Sequence, residues 1–352
     1  MSSQPQLLTD PFLQLPTENS IRVVWFTEFS GSRHTVNYGS NLEKIVSANT
    51  IKLSRTREDQ KSKFGEQTQE NQIYQQPIWR NIWRHEAEIT NLIPGERVPY
   101  RVTSEREDGE IVSSEVFSLA PQPLPGTPLK ILLTSDHQLM PMTAANLQKV
   151  EETIGIDAVF FAGDLVNVPD RASEWFDDNQ GNAFFPCLQG KAKSKLEKNG
   201  NSTIYKGGKI IQHAPIFPAI GNHEVMGRFS IESSLSEQIY DAFPRELAKQ
   251  IYQDKTDMPE EFWLKDYTFN TDTYEEIFTL PNDSNGGEKY YAITIGDVRL
   301  VVLFAACAWR NPSLASNIKG KYRECDRDLN NPAAWGYGQH IFEPIHQGSN
   351  QY

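Results

Sequence analysis

Four prolines fall within the nine residues Ala120–Pro128, and the chain reads differently on either side of them. Such a segment is stiff and extended, so residues 121–128 mark a connector between domains. A chain of 352 residues is long enough for two domains of ordinary size. Ahead of the connector, residues 18–120 read as all-β. Ile21–Thr27 is rich in β-branched and aromatic residues, Trp83–Ile89 alternates, and His34–Gly39 ends on a turn glycine. Val98–Thr103 is followed by a turn at Glu107-Asp108-Gly109 and a return strand over Ile111–Leu119. Short strands separated by turns predict a β-sandwich. The complete set of strand and turn signals further predicts that residues 1–122 fold on their own. Arg55–Gln76 is polar, rich in Gln, Glu and Lys, and reads as an exposed loop.

Behind the connector, over residues 129–352, the pattern becomes that of an α/β domain. Leu129–Thr134, Ile156–Ala162 and Ala214–Ile220 read as buried strands. Thr143 can cap a helix carrying Leu147, Val150 and Ile154 on one face, with Gly155 ending it. Residues 171–213 read as an irregular insertion with a basic patch around Lys191–Lys198. The segment 227–288 is mostly polar with some helical pattern. Tyr290–Ile295 and Val298–Phe304 read as a hairpin about Gly296-Asp297.

Each of the three strands runs into a polar string: Ser135-Asp136-His137-Gln138, Gly163-Asp164-Leu165-Val166-Asn167 and Gly221-Asn222-His223-Glu224. Ligands of open α/β sheets gather outside the carboxyl ends of the strands. Two carboxylates, an amide and an imidazole there are what a two-metal hydrolytic site requires. Taken singly, each string has a plainer reading as a cap or a tight turn. Their order, their strand context and the strand–helix–strand unit between Asp136 and Asp164 favour the site.

Charge and cysteine content narrow the setting. A net charge of −12 argues against a nucleic-acid partner, which needs a basic face. A phosphate ester stays open, because bound cations invert the local field. No run approaches the roughly 20 apolar residues of a membrane span. Met1–Pro16 lacks the basic start and apolar stretch of a signal peptide. Cys187, Cys307 and Cys325 have no metal-type spacing and cannot all pair. A cytoplasmic protein with reduced thiols is the expectation, with secretion left open.

The order Asp, Gly-Asp, Gly-Asn-His-Glu resembles the calcineurin-like metallophosphoesterases. The first domain is similar to the fibronectin-type-III-like N-terminal domain of purple acid phosphatases, through Val24-Trp25, Val36-Asn37-Tyr38-Gly39 and the corner Leu92-Ile93-Pro94-Gly95 to Tyr100-Arg101-Val102. The resemblance implies an N-terminal sandwich followed by an α/β metallophosphoesterase domain. It implies phosphate ester hydrolysis with two metal ions, Mn, Fe or Zn. Asp136 would bind one metal, Asp164 would bridge both, and Asn222 would give its amide oxygen to the second. His223 would face the substrate as hydrogen-bond donor or general acid.

Three departures accompany the resemblance. Gln138 stands where the family often has a metal-binding His, and Gln is a poor transition-metal ligand beside imidazole. His137 is one residue early and should face the other way. Asn167 stands where purple acid phosphatases carry a Tyr ligand. Lastly, the family's final histidine ligands have no counterpart, since only His340 and His346 follow Phe304. The expectation is therefore a catalytic domain incomplete at its C-terminus, and a poor enzyme as it stands. A non-catalytic chain that binds a partner through its sandwich is the competing reading.

Overall fold

The computed structural model describes residues 5–63, 74, 76–153, 155–241, 252, 259–260, 263–264, 270–282 and 288–304. Among these, the N-terminal unit is β1 (Phe12–Gln14), β2 (Ile21–Thr27), β3 (Arg33–Tyr38), β4 (Lys44–Ser47), β5 (Asn49–Lys52), β6 (Arg57–Glu58), β7 (Ile78–Trp79), β8 (Trp83–Ile89), β9 (Val98–Glu105), β10 (Ile111–Ser113) and β11 (Phe117–Leu119). One sheet runs β1-β2-β8-β5. The other runs β10-β9-β3-β4, with β11 also on β9. β1 precedes residue 18 and pairs with β2 from Phe12↔Val24 to Gln14↔Arg22.

Strand alternation decides what each face of β2 meets. Val23 and Trp25 point between the sheets, against Val36, Tyr100 and Val102. Trp25 Nε1 donates to Ser104 Oγ across the sandwich at 2.9 Å. Val24 and Phe26 point the other way, into a second core shared with the α/β domain.

That domain contains β12 (Ile131–Thr134), α1 (Met142–Thr153), β13 (Ala158–Phe161), α2 (Ala172–Phe176), α3 (Phe184–Leu188), β14 (Ser194–Lys198), β15 (Asn201–Tyr205), β16 (Ile216–Pro218), α4 (Leu235–Gln238), α5 (Asp272–Ile277), β17 (Tyr291–Ile295) and β18 (Val298–Val302). β12, β13 and β16 form a parallel sheet in that order. β17 and β18 form the hairpin read from the sequence. The helix α1 starts at Met142, so Thr143 lies inside its first turn rather than capping it. Leu147 is buried as expected, whereas Ile154 lies outside the described residues.

Two expectations are corrected. Residues 171–213 are not irregular. They hold α2, α3 and the β14–β15 hairpin, and they bury Trp175, Phe176, Phe184, Phe185 and Leu188. Their basic patch is partly offset, since Lys191 pairs with Asp10 at 2.5 Å and Lys195 with Glu197 at 2.8 Å. The start of the polar stretch 55–76 is not an exposed loop either. Arg55, Thr56, Arg57, Glu58 and Asp59 are all buried, and the α/β domain supplies partners for each of them but Thr56, which bonds the Arg80 carbonyl. Much of the rest of that stretch lies outside the described residues.

The domains therefore share an interior. Phe12, Val24, Phe26, Leu53 and Ile82 belong to the same apolar cluster as Trp175, Phe176, Phe185 and Phe278. Hydrogen bonds to backbone carbonyls join the units too: Leu13 N–H donates to that of Ile211 at 3.0 Å, and the Tyr100 hydroxyl donates to that of Gln212 at 2.7 Å. An isolated 1–122 segment would bare this apolar face, which argues against the independent folding read from the connector.

Ion pairs complete the interface. Arg80 carries one charge against three carboxylates: Asp177 at 2.5 Å, Glu28 at 2.7 Å and Glu58 at 3.4 Å. Burial pushes the Glu58 carboxyl up to about 7, more than Arg80 pulls it down. A proton held more tightly when folded gives stability that is complete below the ordinary carboxyl value of 4.5 and lost as pH rises through about 7. A shift of that size corresponds to roughly 3 kcal/mol. In urea unfolding, the wild type should lose stability between pH 5 and pH 8 relative to Glu58→Gln. Parallel pH profiles would show that Glu58 titrates normally.

Candidate active site

The three polar strings lie just past the ends of β12, β13 and β16. The strands remain in step into the turns: Ala162 N–H bonds the Thr134 carbonyl at 2.8 Å, and Ala219 N–H bonds that of Phe161 at 2.7 Å. The chain then turns through left-handed conformations. Asp136 has φ +53°, Gln138 +37° and Asp164 +55°. Such values cost side-chain-bearing residues about 1 kcal/mol or more each, and they cluster at functional sites.

Two glycines let the second and third turns touch. Gly163 has φ +88°, and a Cβ there would lie 2.6 Å from the Gly221 nitrogen. On Gly221, a Cβ would lie 2.1 Å from Asp164 Oδ1. Backbone against backbone is the only fit. Asp136 joins the group through its own N–H, which donates to the Gly163 carbonyl at 3.2 Å.

Glu224 ties this contact together. Its side chain is fully buried. Oε2 accepts from Asp164 N at 2.9 Å and Gly221 N at 2.8 Å, and Oε1 accepts from Leu165 N at 2.7 Å. Burial, then the Asp164 charge, pushes its carboxyl up to about 7 against those three bonds. The sequence reading gave Glu224 no role. The available signal was a carboxylate placed three residues past a glycine and directly before the apolar Val225-Met226.

His223 stands between the two turns. Its backbone N–H donates to Asp164 Oδ1 at 3.0 Å. Its Nδ1 lies 2.7 Å from the Asn167 carbonyl. A carbonyl only accepts, so Nδ1 carries the proton, and Nε2 has no protein hydrogen bond among the described residues. Asn222 is half-buried beside it and Asp136 is exposed. Neither side chain has a protein hydrogen bond among the described residues.

The other candidate ligand positions are structural. His137 is buried, its ring 4.5 Å from that of Phe161, and Nε2 is 3.2 Å from Thr134 Oγ1. It faces the core, as its offset by one residue predicts, and burial pushes it down to about 4. Asn167 turns its amide inward, where Nδ2 donates to the Gln138 carbonyl at 2.9 Å. Gln138 N–H in turn donates to the Leu165 carbonyl at 3.1 Å. Asn167 and Gln138 thus staple the first and second turns.

Asp136, Asp164 and Asn222 offer oxygen atoms, the donors that suit hard divalent cations. Among the described residues no group of three or more His, Cys, Asp or Glu side chains is arranged to hold a metal ion. The oxygen chemistry of these side chains suits a divalent cation, and the described residues alone do not complete a two-cation set. His340 and His346, the only histidines after Phe304, lie outside the described residues.

The structure is thus a β-sandwich packed against an α/β domain, with polar turns at the ends of its parallel strands. Residues 9–120 match the purple acid phosphatase N-terminal domain family. Over 84% of its length the chain has the fold of purple acid phosphatase PPD1 from yellow lupin (Lupinus luteus) seeds, at 16% identity and a TM-score of 0.50. It spans only 44% of that lupin chain. A structure of PhoD aligns with 88% of this chain and 54% of its own, at 12% identity and a TM-score of 0.39. No curated protein matches. Among the described residues no helix is long and apolar enough to cross a membrane.

Proposed function

We propose that this protein hydrolyses phosphate esters at a dinuclear metal site on the carboxyl ends of β12, β13 and β16. The observation that carries the reading is the joining of the Asp164 and His223 turns, with Asp136 and Asn222 beside them, at the end of a parallel sheet where ligands gather. Asp136, Asp164 and Asn222 are the residues that would hold the cations, with Asp164 as the shared ligand. Two bound cations offset the charge of the phosphoryl oxygens and lower the pKa of water to near neutrality.

The chain's own part is positioning and proton delivery. His223, with Nδ1 committed to the Asn167 carbonyl, presents Nε2 to the phosphoryl group or the leaving oxygen. Glu224 holds the two turns at a fixed separation, so that Asp164 and His223 move as one body.

Metal uptake and hydrolysis together test the reading. The purified chain should take up Mn²⁺ or Zn²⁺ in equilibrium dialysis. Any hydrolysis of p-nitrophenyl phosphate that it shows, even slow, should stop on chelation and return with the metal. A chain that takes up neither metal, or whose hydrolysis ignores the chelator, would overturn the proposal.

A further inference from the structure

The sandwich domain reaches the site through a continuous chain of charged contacts. Asp59 follows β6 in the first domain and is buried. Arg171 Nη2 donates to Asp59 Oδ1 at 3.2 Å, and its Nη1 donates to Glu174 Oε1 at 2.7 Å. The other oxygen of Glu174 accepts from Asn167 N at 2.6 Å and from Val168 N at 3.1 Å. The Asn167 carbonyl, on the peptide that follows, is the acceptor for His223 Nδ1 at 2.7 Å. Every link is a hydrogen bond, and Asp59, Arg171 and Glu174 are all buried, where such bonds are little screened. Asp59 Oδ2 also accepts from Leu235 N at 2.6 Å, and Arg171 Nη2 donates to Ser236 Oγ at 3.1 Å, so the chain also anchors α4.

From this we propose that the β-sandwich orients the His223 imidazole and fixes its tautomer through Asp59, Arg171, Glu174 and Asn167. Asp59, Arg171 and Glu174 are positioning residues. The inference builds on the role given above to His223, but its first readout does not depend on activity.

The physical argument is one of alternatives. The Asn167 carbonyl can hold Nδ1–H only while the 167–168 peptides point the right way. Two N–H groups captured by one carboxylate oxygen set that direction. Glu174 has a free choice of rotamer unless something holds its other oxygen. Arg171 does so, and its planar guanidinium bridges two carboxylates at once, which a lysine ammonium on a flexible stem reproduces poorly. Asp59 belongs to a different domain, so the imidazole is set correctly only when the two domains are docked. A sandwich of this kind is then part of the catalytic geometry rather than an appended binding module.

Long-range ¹H–¹⁵N spectra of the full-length labelled chain read the tautomer directly. The chain has seven histidines, and His223→Ala identifies the signals of His223 by their loss. At a pH where the ring is neutral, wild-type His223 should show the Nδ1–H tautomer. In Asp59→Asn and in Arg171→Lys it should lose that preference and move toward the Nε2–H form favoured by free imidazole side chains. If the chain hydrolyses p-nitrophenyl phosphate, kcat should fall on the order of 10² with KM little changed, the cost of a misplaced group. A wild-type Nε2–H tautomer overturns the proposal without any variant. An Nδ1–H tautomer retained in either folded variant overturns it as well. An inactive chain with the expected tautomer pattern instead counts against phosphate ester hydrolysis and leaves the positioning chain standing.

Discussion

Replacing Asp170 with alanine should destabilise the whole protein by roughly 3–5 kcal/mol, the usual cost of breaking a buried ion pair from one side. Asp170 is completely buried. Its Oδ2 accepts from Arg55 Nε at 3.0 Å and from Arg57 Nη2, and its Oδ1 accepts from Thr273 Oγ1 at 2.7 Å. Burial raises the Asp170 carboxyl, yet Arg55 and Arg57 together hold it below its usual value. Its contribution is therefore present above the ordinary carboxylate range and lost as pH falls through the lowered value. The alanine variant removes the anion that two buried guanidinium groups share. Because those arginines belong to the sandwich and Asp170 to the α/β domain, the loss should appear as one earlier transition in urea, not as selective melting of one domain. A midpoint change worth less than about 0.5 kcal/mol, typical of a surface substitution, would show that the pairs do not join the domains.

This interface is the part of the fold least legible in the sequence. Strands with clear local signals, such as β2 with its β-branched and aromatic run and β8 with its alternation, and the hairpin about Gly296 stand where the pattern puts them. Their signal is local: side chains of period two and a turn residue between them. The burial of Arg55, Arg57, Glu58 and Asp59 is not local. A run of charges reads as solvated until its partners are known, and those partners, Asp170, Ser173 and Arg171, come over 100 residues later. The same holds for the aromatic segment around Phe184 and Phe185. Its apolar run is too short to announce α3, and Phe185 is buried by packing on Phe12 and Phe26 from the sandwich while Phe184 packs on Phe161, Trp175 and Phe278.

The candidate site was legible to a different degree at each residue. Its strings are short, polar and tied to strand ends, so their neighbourhood follows once the sheet is parallel. The inward turn of His137 follows from the same alternation. What the sequence could not show is which polar groups hold the others. Asn167 sits at a position expected for a ligand, yet its amide bonds a backbone carbonyl while its own carbonyl holds His223. Glu224 had no separate reading, yet it joins the two turns through three N–H groups. Such roles depend on which backbone donors are left over at the turns, and that is fixed only by the folded geometry.

If the protein hydrolyses phosphate esters as proposed, Asp164→Asn and His223→Ala should both abolish most of that activity, by different routes. The asparagine keeps an oxygen able to accept the His223 backbone N–H, so the turn survives. What it loses is the negative charge that would hold two cations together. Metal content should fall with turnover, and raising the Mn²⁺ concentration should recover only part of it. The alanine removes the imidazole but leaves Asp136, Asp164 and Asn222 untouched. Metal content should stay at the wild-type level while kcat falls by roughly 10²–10⁴, the range for loss of a general acid. Elemental analysis of both variants beside the wild type separates a ligand from a proton donor. If Asp164→Asn keeps its metal while His223→Ala sheds it, the two roles are reversed, and the oxygen ligands at the ends of β12, β13 and β16 are not what binds the cations.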